Sequence, residues 1–302
     1  MTDLAVKLSG IVKSGRRKTI GPIDLDVPAG HVVAVVGPNG SGKSTLIHLI
    51  MKAIQPDGGT MEWFGQQHEQ GLPIELKRMI AYVPEIPLYE ENQATAEEAG
   101  SFRAYWYPDW DGTRFEELLN RFDVPRGIKL SKMSKGERRK FEIAAALACH
   151  PKLLLLDEPS SGLDPFAWKE MLSGLRSLLA EEEITVLLCT HIVDEIKRLA
   201  DYVVLMRDGR SYGMVEKDAL QECFQEWWIR GGQAEVKQLG ALELEQGPDL
   251  MKVLVNSAEA ERLAAELPIE VLRRRSIELE EALELWMKGH LPEELKWKRG
   301  TL

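Results

Sequence analysis

Val32-Val33-Ala34-Val35-Val36-Gly37-Pro38-Asn39-Gly40-Ser41-Gly42-Lys43-Ser44-Thr45 is the stretch on which the fold turns. Its first five residues are apolar and mostly β-branched, the pattern of a strand buried on both faces. Glycines at 37, 40 and 42 then impose a loop. Beyond it Leu46, Ile47, Leu49, Ile50 and Ile54 recur at the spacing of a helix packed on a sheet. The order strand, glycine loop, helix suits an anion, because a helix start offers unpaired N–H groups and glycine lets backbone approach closely. Lys43 adds a point charge for phosphate oxygens, and Ser44 adds a hydroxyl for a divalent cation. Gly37-x-x-x-x-Gly42-Lys43-Ser44 is the Walker A spacing. The nucleotide-binding candidates here are Gly37, Asn39, Gly40, Ser41, Gly42, Lys43, Ser44 and Thr45.

Upstream, residues 1 to 36 alternate apolar and polar positions and pass a turn at Pro28-Ala29-Gly30. Downstream, apolar strands return at Leu153 to Leu156 and Thr185 to Cys189. Strands separated by helices predict a mostly parallel α/β sheet with covered faces. The texture of Ile86 to His150 differs: acidic and aromatic helical patterns broken by Pro108 and Pro125 read as an inserted helical subdomain, about 86–150. After Gly213 strand patterns at Met251 to Val255 and Ile269 to Leu272 alternate with helical ones at Ala258 to Leu267 and Ile277 to Met287. The expected organisation is a domain over 1–213 and a small α+β accessory domain over 214–302.

Composition bounds the function. With 44% hydrophobic and 28% charged residues, the 302-residue chain falls outside the disordered, collagen-like and coiled-coil classes. No apolar run approaches the roughly 18 residues of a membrane helix, and Met1-Thr2-Asp3-Leu4 does not open a secretory signal. Cys149, Cys189 and Cys223 lack metal-ligand spacing, so buried thiols are expected. A net charge of -10 disfavours nucleic acid as a partner. The tail from 214 holds twelve basic and eighteen acidic residues, which puts most of that excess there.

Leu153-Leu154-Leu155-Leu156-Asp157-Glu158 is a buried strand ending in two carboxylates, a costly arrangement without a cation or water. Asp157 is placed to hold Mg²⁺ or its waters, and Glu158 to orient and deprotonate an attacking water. Between this strand and the glycine loop lies Met133-Ser134-Lys135-Gly136-Glu137-Arg138-Arg139-Lys140; after it come Pro159-Ser160-Ser161-Gly162-Leu163-Asp164 and Thr190-His191. In this order the segments resemble the signature, D-loop and switch histidine of ABC-type ATPases, over about residues 4 to 213. The resemblance implies a P-loop cassette with a mostly parallel RecA-like sheet, an antiparallel β portion and a helical insert. It implies ATP and Mg²⁺ as cofactors and an ATP sandwich in which the glycine loop of one subunit faces Ser134 and Gly136 of another. By the same resemblance Asp164 organises that interface and His191 contacts the γ-phosphate and the attacking water.

The chain departs from this family in three places. Glu85 follows Tyr82-Val83-Pro84 where a glutamine is usual, and is expected in the metal shell or as an exposed loop carboxylate. Ser14 stands where many relatives stack an aromatic on adenine, a contact worth about 1–3 kcal/mol per base in nucleic-acid systems. Arg16 or Arg17 is a substitute platform. Lys135 and Glu137 replace the signature's second glycine and glutamine, as in ATPases of the ABC-2 export type. The run Phe102-Arg103-Ala104-Tyr105-Trp106-Tyr107-Pro108-Asp109-Trp110-Asp111 is similar to a Ytr-like bacterial branch encoded beside GntR-type regulators.

The implied function is an ATP-hydrolysing subunit that powers a separate integral membrane permease, with export the expected direction. The working pair is a homodimer or a heterodimer, cytoplasmic and peripheral at the inner face of the membrane. The competing class is a soluble ABC-type ATPase of translation or DNA repair, which would need paired cassettes, zinc modules or a basic surface. Tyr105, Trp106, Tyr107 and Trp110 are either the permease-docking surface or the insert's own core. Leu279, Leu283 and Trp286 form a helical stripe expected to be core.

Overall fold

The computed structural model describes residues 3–15, 18–87, 92–161, 163–230, 241–246, 250–292 and 295. The chain separates into two compact units, Met1–Gly213 and Met214–Thr301. In the first, strands β1 (Leu4–Ser14), β2 (Thr19–Pro28), β4 (Gly58–Trp63) and β5 (Gln66–Gln67) form an antiparallel sheet in the order β2-β1-β4-β5. A second sheet has the order β10-β9-β3-β8-β7-β6, built from β3 (Val32–Val36), β6 (Ile80–Val83), β7 (Leu153–Asp157), β8 (Thr185–Thr190), β9 (Tyr202–Arg207) and β10 (Arg210–Glu216). Its pairs β9/β3, β3/β8, β8/β7 and β7/β6 are parallel. β3, β7 and β8 are buried at every position, which is why their sequences are continuous apolar runs instead of alternating ones.

Register places the chemistry. Val36 pairs with Thr190, Asp157 with Cys189, and Val83 with Leu156. The residues that follow are Gly37, His191, Glu158 and Pro84-Glu85, so four neighbouring strands deliver them to one sheet edge. Ligands of open α/β sheets bind at that carboxyl edge.

Helices α1 (Lys43–Ile50), α2 (Ile74–Arg78), α3 (Ala96–Trp106), α4 (Gly112–Arg121), α5 (Lys135–Leu147), α6 (Pro165–Glu181) and α7 (Val193–Leu199) complete the unit. Thr95 and Glu98 close a reciprocal capping box on α3, Asp111 caps α4, and Ser134 with Glu137 caps α5. Phe115 fills the space beside Gly100, where a Cβ would lie 2.3 Å from its ring. Glu142 is buried yet bonded to Arg138 at 2.8 Å and Arg103 at 2.7 Å, and both guanidinium groups lie over Phe141.

The aromatic run of this insert divides. Trp110 packs on Phe115 with ring centroids 4.9 Å apart, whereas Tyr105, Trp106 and Phe102 are 81%, 60% and 58% exposed.

The second unit contains α8 (Lys217–Glu222) and an antiparallel sheet in the order β12-β13-β11-β14: β11 (Phe224–Arg230), β12 (Glu243–Gln246), β13 (Met251–Asn256) and β14 (Glu270–Ser276). Taken in chain order this is 2-3-1-4, the arrangement of a split βαβ or ferredoxin-like sheet. Residues 231–240, between its first two strands, lie outside the described ones. Trp227, Ile229, Met251, Val253 and Val255 meet α9 (Ser257–Ala264) through Ala260. Leu279, Leu283 and Trp286 of α10 (Leu279–Met287) are buried, so this stripe is core. The run Arg273-Arg274-Arg275 lies within β14, where Arg274 and Arg273 stack on Trp227 and Trp228.

Candidate functional site

The loop after β3 holds its shape through backbone that side chains would obstruct. A Cβ on Gly37 would lie 1.9 Å from the Met206 carbonyl oxygen; Gly42, at φ 111°, would meet Ile20 and Met206. Gly40, at φ 77°, faces open space. Gly42 is also the N-cap of α1 and carries no side-chain cap, which leaves the first N–H groups of the helix for an anion.

A cavity of about 690 Å³ opens over this loop. Among the expected site residues Asn39, Gly40, Gly42, Lys43, Ser44, Thr45, Glu85, Glu158 and His191 line it. Gly37 and Ser41 stand behind: the Ser41 amide donates to the Pro38 carbonyl at 3.1 Å, and its side chain is buried. These two shape the loop.

Lys43 Nζ is almost fully buried, donates to the Gly37 carbonyl at 2.8 Å and pairs with Glu158 Oε1 at 3.1 Å. The other Glu158 oxygen lies 2.7 Å from His191 Nδ1. Glu158 itself sits at φ 45°, a left-handed conformation that a non-glycine residue rarely adopts, and its N–H donates to the Cys189 carbonyl at 2.8 Å. Strain of this kind concentrates at functional positions.

Asp157 lies beneath the cavity. Burial pushes its carboxyl up, a hydrogen bond from the Ser44 hydroxyl opposes this, and the neighbouring charges of Glu158 and Glu85 add to the rise. Asp157 Oδ1 is buried without a hydrogen-bond partner. An orphaned carboxylate oxygen beside a hydroxyl, on the floor of a phosphate loop, is a donor set for a hard cation. Among the described residues no group of three His, Cys, Asp or Glu forms a closed metal cage. The fit is therefore to an ion that keeps waters and takes phosphate oxygens, the habit of Mg²⁺.

Glu85 is exposed at the cavity mouth, and its backbone is fixed from below. Buried Arg139 of α5 donates to the carbonyls of Pro84 and Glu85, the latter at 2.7 Å.

Ser134, Gly136 and Asp164 are brought together elsewhere. They line a separate hollow of about 350 Å³ with Leu163, Trp168 and Met171, and none of them reaches the first cavity. One chain thus carries the expected site residues on two separate surfaces.

Lys13, Gly15, Lys18 and Ile20 also line the first cavity. They come from the β1–β2 connection, where Ser14 is exposed and its N–H donates to Asp57; Arg16 and Arg17 lie outside the described residues. Only the strand pairing shows that this turn overhangs the loop.

A glycine phosphate loop, a carboxylate pair and a histidine at the carboxyl edge of a parallel sheet define a P-loop nucleotide hydrolase. The sequence model of the ABC transporter family matches residues 20–161. The chain is 31% identical over 220 residues to the bacitracin transport ATP-binding protein BcrA of Bacillus licheniformis, covering 72% of this chain and 71% of that one. It is 36% identical over 215 residues to the daunorubicin/doxorubicin resistance ATP-binding protein DrrA of Streptomyces peucetius (68% and 63% covered). Over 201 residues it is 28% identical to the ABC transporter ATP-binding protein YtrB of Bacillus subtilis (66% and 68%). A solved ATP-binding subunit of an ABC transporter superposes with a TM-score of 0.62 at 28% identity, covering 72% of this chain and 92% of that one. The chain belongs to the ATP-binding subunits of ABC transporters, the ATPases that hydrolyse ATP to power transport. No helix among the described residues is long and apolar enough to cross a membrane.

Proposed function

We propose that the chain is a cytoplasmic ATPase subunit of an exporter, and that ATP is cleaved between two such subunits. In this reading residues 1–213 are the cassette and 214–302 an accessory domain. The observation that carries it is the separation of the two half-sites: the Gly37–Thr45 loop with Glu158 and His191 opens on one cavity, while Ser134, Gly136 and Asp164 open on another. Ser134 caps α5, so that helix start and Gly136 present donors to the terminal phosphate held on a second copy or a related subunit.

Lys43 exchanges its contact with Glu158 for phosphate oxygens, and the released carboxylate takes the proton of the attacking water. His191, held by Glu158, orients the same water and the γ-phosphate. Ser44, Asp157 and Glu85 are the residues that would hold Mg²⁺, which supplies charge neutralisation on the phosphates. The exposed Phe102, Tyr105 and Trp106 lie at the rim of a groove of about 480 Å³ or beside it. They are the proposed landing surface for a membrane subunit, since Trp and Tyr dominate such contacts. The export direction rests on relatives named for drug resistance and for Nod factor export.

The test is Glu158→Gln. It should bind ATP and accumulate as a stable pair in size-exclusion chromatography with light scattering. Wild-type turnover by this variant would remove Glu158 as the base.

A further inference from the structure

One buried carboxyl is used by nothing described so far. Glu195, in the first turn of α7, is 0% exposed, and neither of its oxygens makes a hydrogen bond of good geometry. Ser160 Oγ and Trp168 Nε1 are buried and equally short of good partners. These two and the Thr190 hydroxyl lie within reach of the Glu195 carboxyl.

Each of the three belongs to a different part of the site. Ser160 lies two residues beyond Glu158, and its carbonyl accepts from the Leu163 N–H at 3.0 Å. Thr190 immediately precedes His191; its Oγ1 already accepts from the Ile192 N–H at 3.0 Å, so its proton is the part left to give. Trp168 stands in α6 one turn after Asp164, and its backbone N–H donates to the Asp164 carbonyl at 3.0 Å. Burying a carboxyl where no bond is well made costs free energy, so its presence calls for a role.

We propose that Glu195 is a positioning residue that locks the Glu158 loop, the His191 strand end and the Asp164 helix start to one another. The catalytic pair and the subunit-facing Asp164 then move as one body. Burial pushes the Glu195 carboxyl up, with hydrogen bonds from Ser160 and Thr190 pulling it back; its two oxygens can accept from two hydroxyls and an indole N–H. The inference rests on Glu158 and His191 being the catalytic pair.

The experiment compares Glu195→Leu and Glu195→Gln in the full chain by steady-state ATP hydrolysis and nucleotide binding. Leu keeps the volume but none of the hydrogen bonds. It should lower kcat by about tenfold or more, as expected for a small misplacement of catalytic groups, and leave the nucleotide Kd within about twofold, since the phosphate loop is untouched. Gln keeps an acceptor oxygen for the indole N–H and an amide that bonds the hydroxyls, and should return kcat to within about threefold of the parent. Full kcat in the Leu variant, or a Gln variant as slow as Leu, overturns the proposal. Should the Leu variant fail to fold, the indole N–H resonance of Trp168, assigned through Trp168→Phe, must shift in the Gln variant; an unmoved resonance also overturns it. Glu158→Gln is run alongside: normal turnover there would sink the catalytic reading, while the Trp168 resonance would still judge Glu195 by itself.

Discussion

The second unit and the nucleotide site of the first bury charge in opposite ways. In the second unit Glu226 is buried, but Lys252 reaches it at 2.6 Å and Arg275 at 2.7 Å, and the hydrogen bond from Lys252 holds that ammonium above its ordinary value. Its neighbouring arginines stack on Trp227 and Trp228. In the first unit Asp157, Ser160, Trp168 and Glu195 keep buried polar atoms without well-made bonds, and Glu158 holds a strained backbone angle. Each such atom costs about 1–3 kcal/mol. Among the described residues all of these unsatisfied atoms belong to the first unit. The contrast separates a part that closes its buried polar groups in well-made pairs from a site that does not.

The largest effect should come from removing the cation that holds the first unit's site together. Lys43→Ala leaves Glu158 and the Gly37 carbonyl without their buried donor. Turnover is expected to fall by about a hundredfold or more, the usual loss for one preorganised charge at a reacting group. Steady-state phosphate release measures it, and a variant within tenfold of the parent would break the contrast drawn above. Next comes Gly37→Ala. Its Cβ has no room against the Met206 carbonyl, so the loop must shift and nucleotide affinity should drop by about tenfold. Gly58→Ala, where a Cβ meets nothing within 4 Å, is the control that should change neither binding nor melting. Calorimetric titration with a slowly hydrolysed ATP analogue separates the two.

The second unit should respond in stability alone. Glu226→Ala strands Lys252 and Arg275, whose side chains are 34% and 43% exposed, so solvent offsets much of the loss. A destabilisation of about 1–2 kcal/mol is expected in chemical denaturation, below that of a fully buried pair. ATP hydrolysis should stay within twofold. A larger effect on turnover than on stability would show that the two units are not functionally separate.

How much of this was legible in the sequence follows from how local each signal is. β3, its glycine loop and α1 announce themselves within twenty residues, and so does the acid pair at the end of β7. Placement that depends on strand order was not readable: Lys13 and Lys18 overhang the nucleotide cavity only because β1 and β2 fold back across it. Glu195 lies four positions past His191 in a polar helix start, and only packing reveals its burial. Phe102, Tyr105 and Trp106 repeat at i, i+3 and i+4, the spacing of a core stripe. Yet the residues α3 buries are the small ones, Ala96, Ala99 and Gly100, with the Phe115 ring set against Gly100. In β11 adjacent Trp227 and Trp228 hide the alternation, while the structure puts the first in the core and the second under Arg273.

The smallest effect belongs where the first unit behaves like the second, with a charge closed on its own neighbours. Asp57 accepts from Lys13 Nζ at 2.8 Å and from the Ser14 N–H at 2.6 Å, and these bonds lower its carboxyl from 3.8 to about 2. A carboxyl lowered by folding contributes stability that is complete above its ordinary value of 3.8 and is lost as pH falls toward 2. Asp57→Asn removes that contribution at neutral pH and flattens the acid limb between those two values. Melting curves of parent and variant should therefore converge as the pH falls through this window. The pair is solvent-exposed, so the difference at pH 7 should be slight. Lys13 loses its anchor in the variant and gains freedom beside the nucleotide cavity it lines, so ATP affinity should change by less than about threefold. A gap between the melting curves that stayed constant from pH 7 to pH 2 would mean that Asp57 stabilises through packing, and that the exposed ion pair contributes nothing to the first unit.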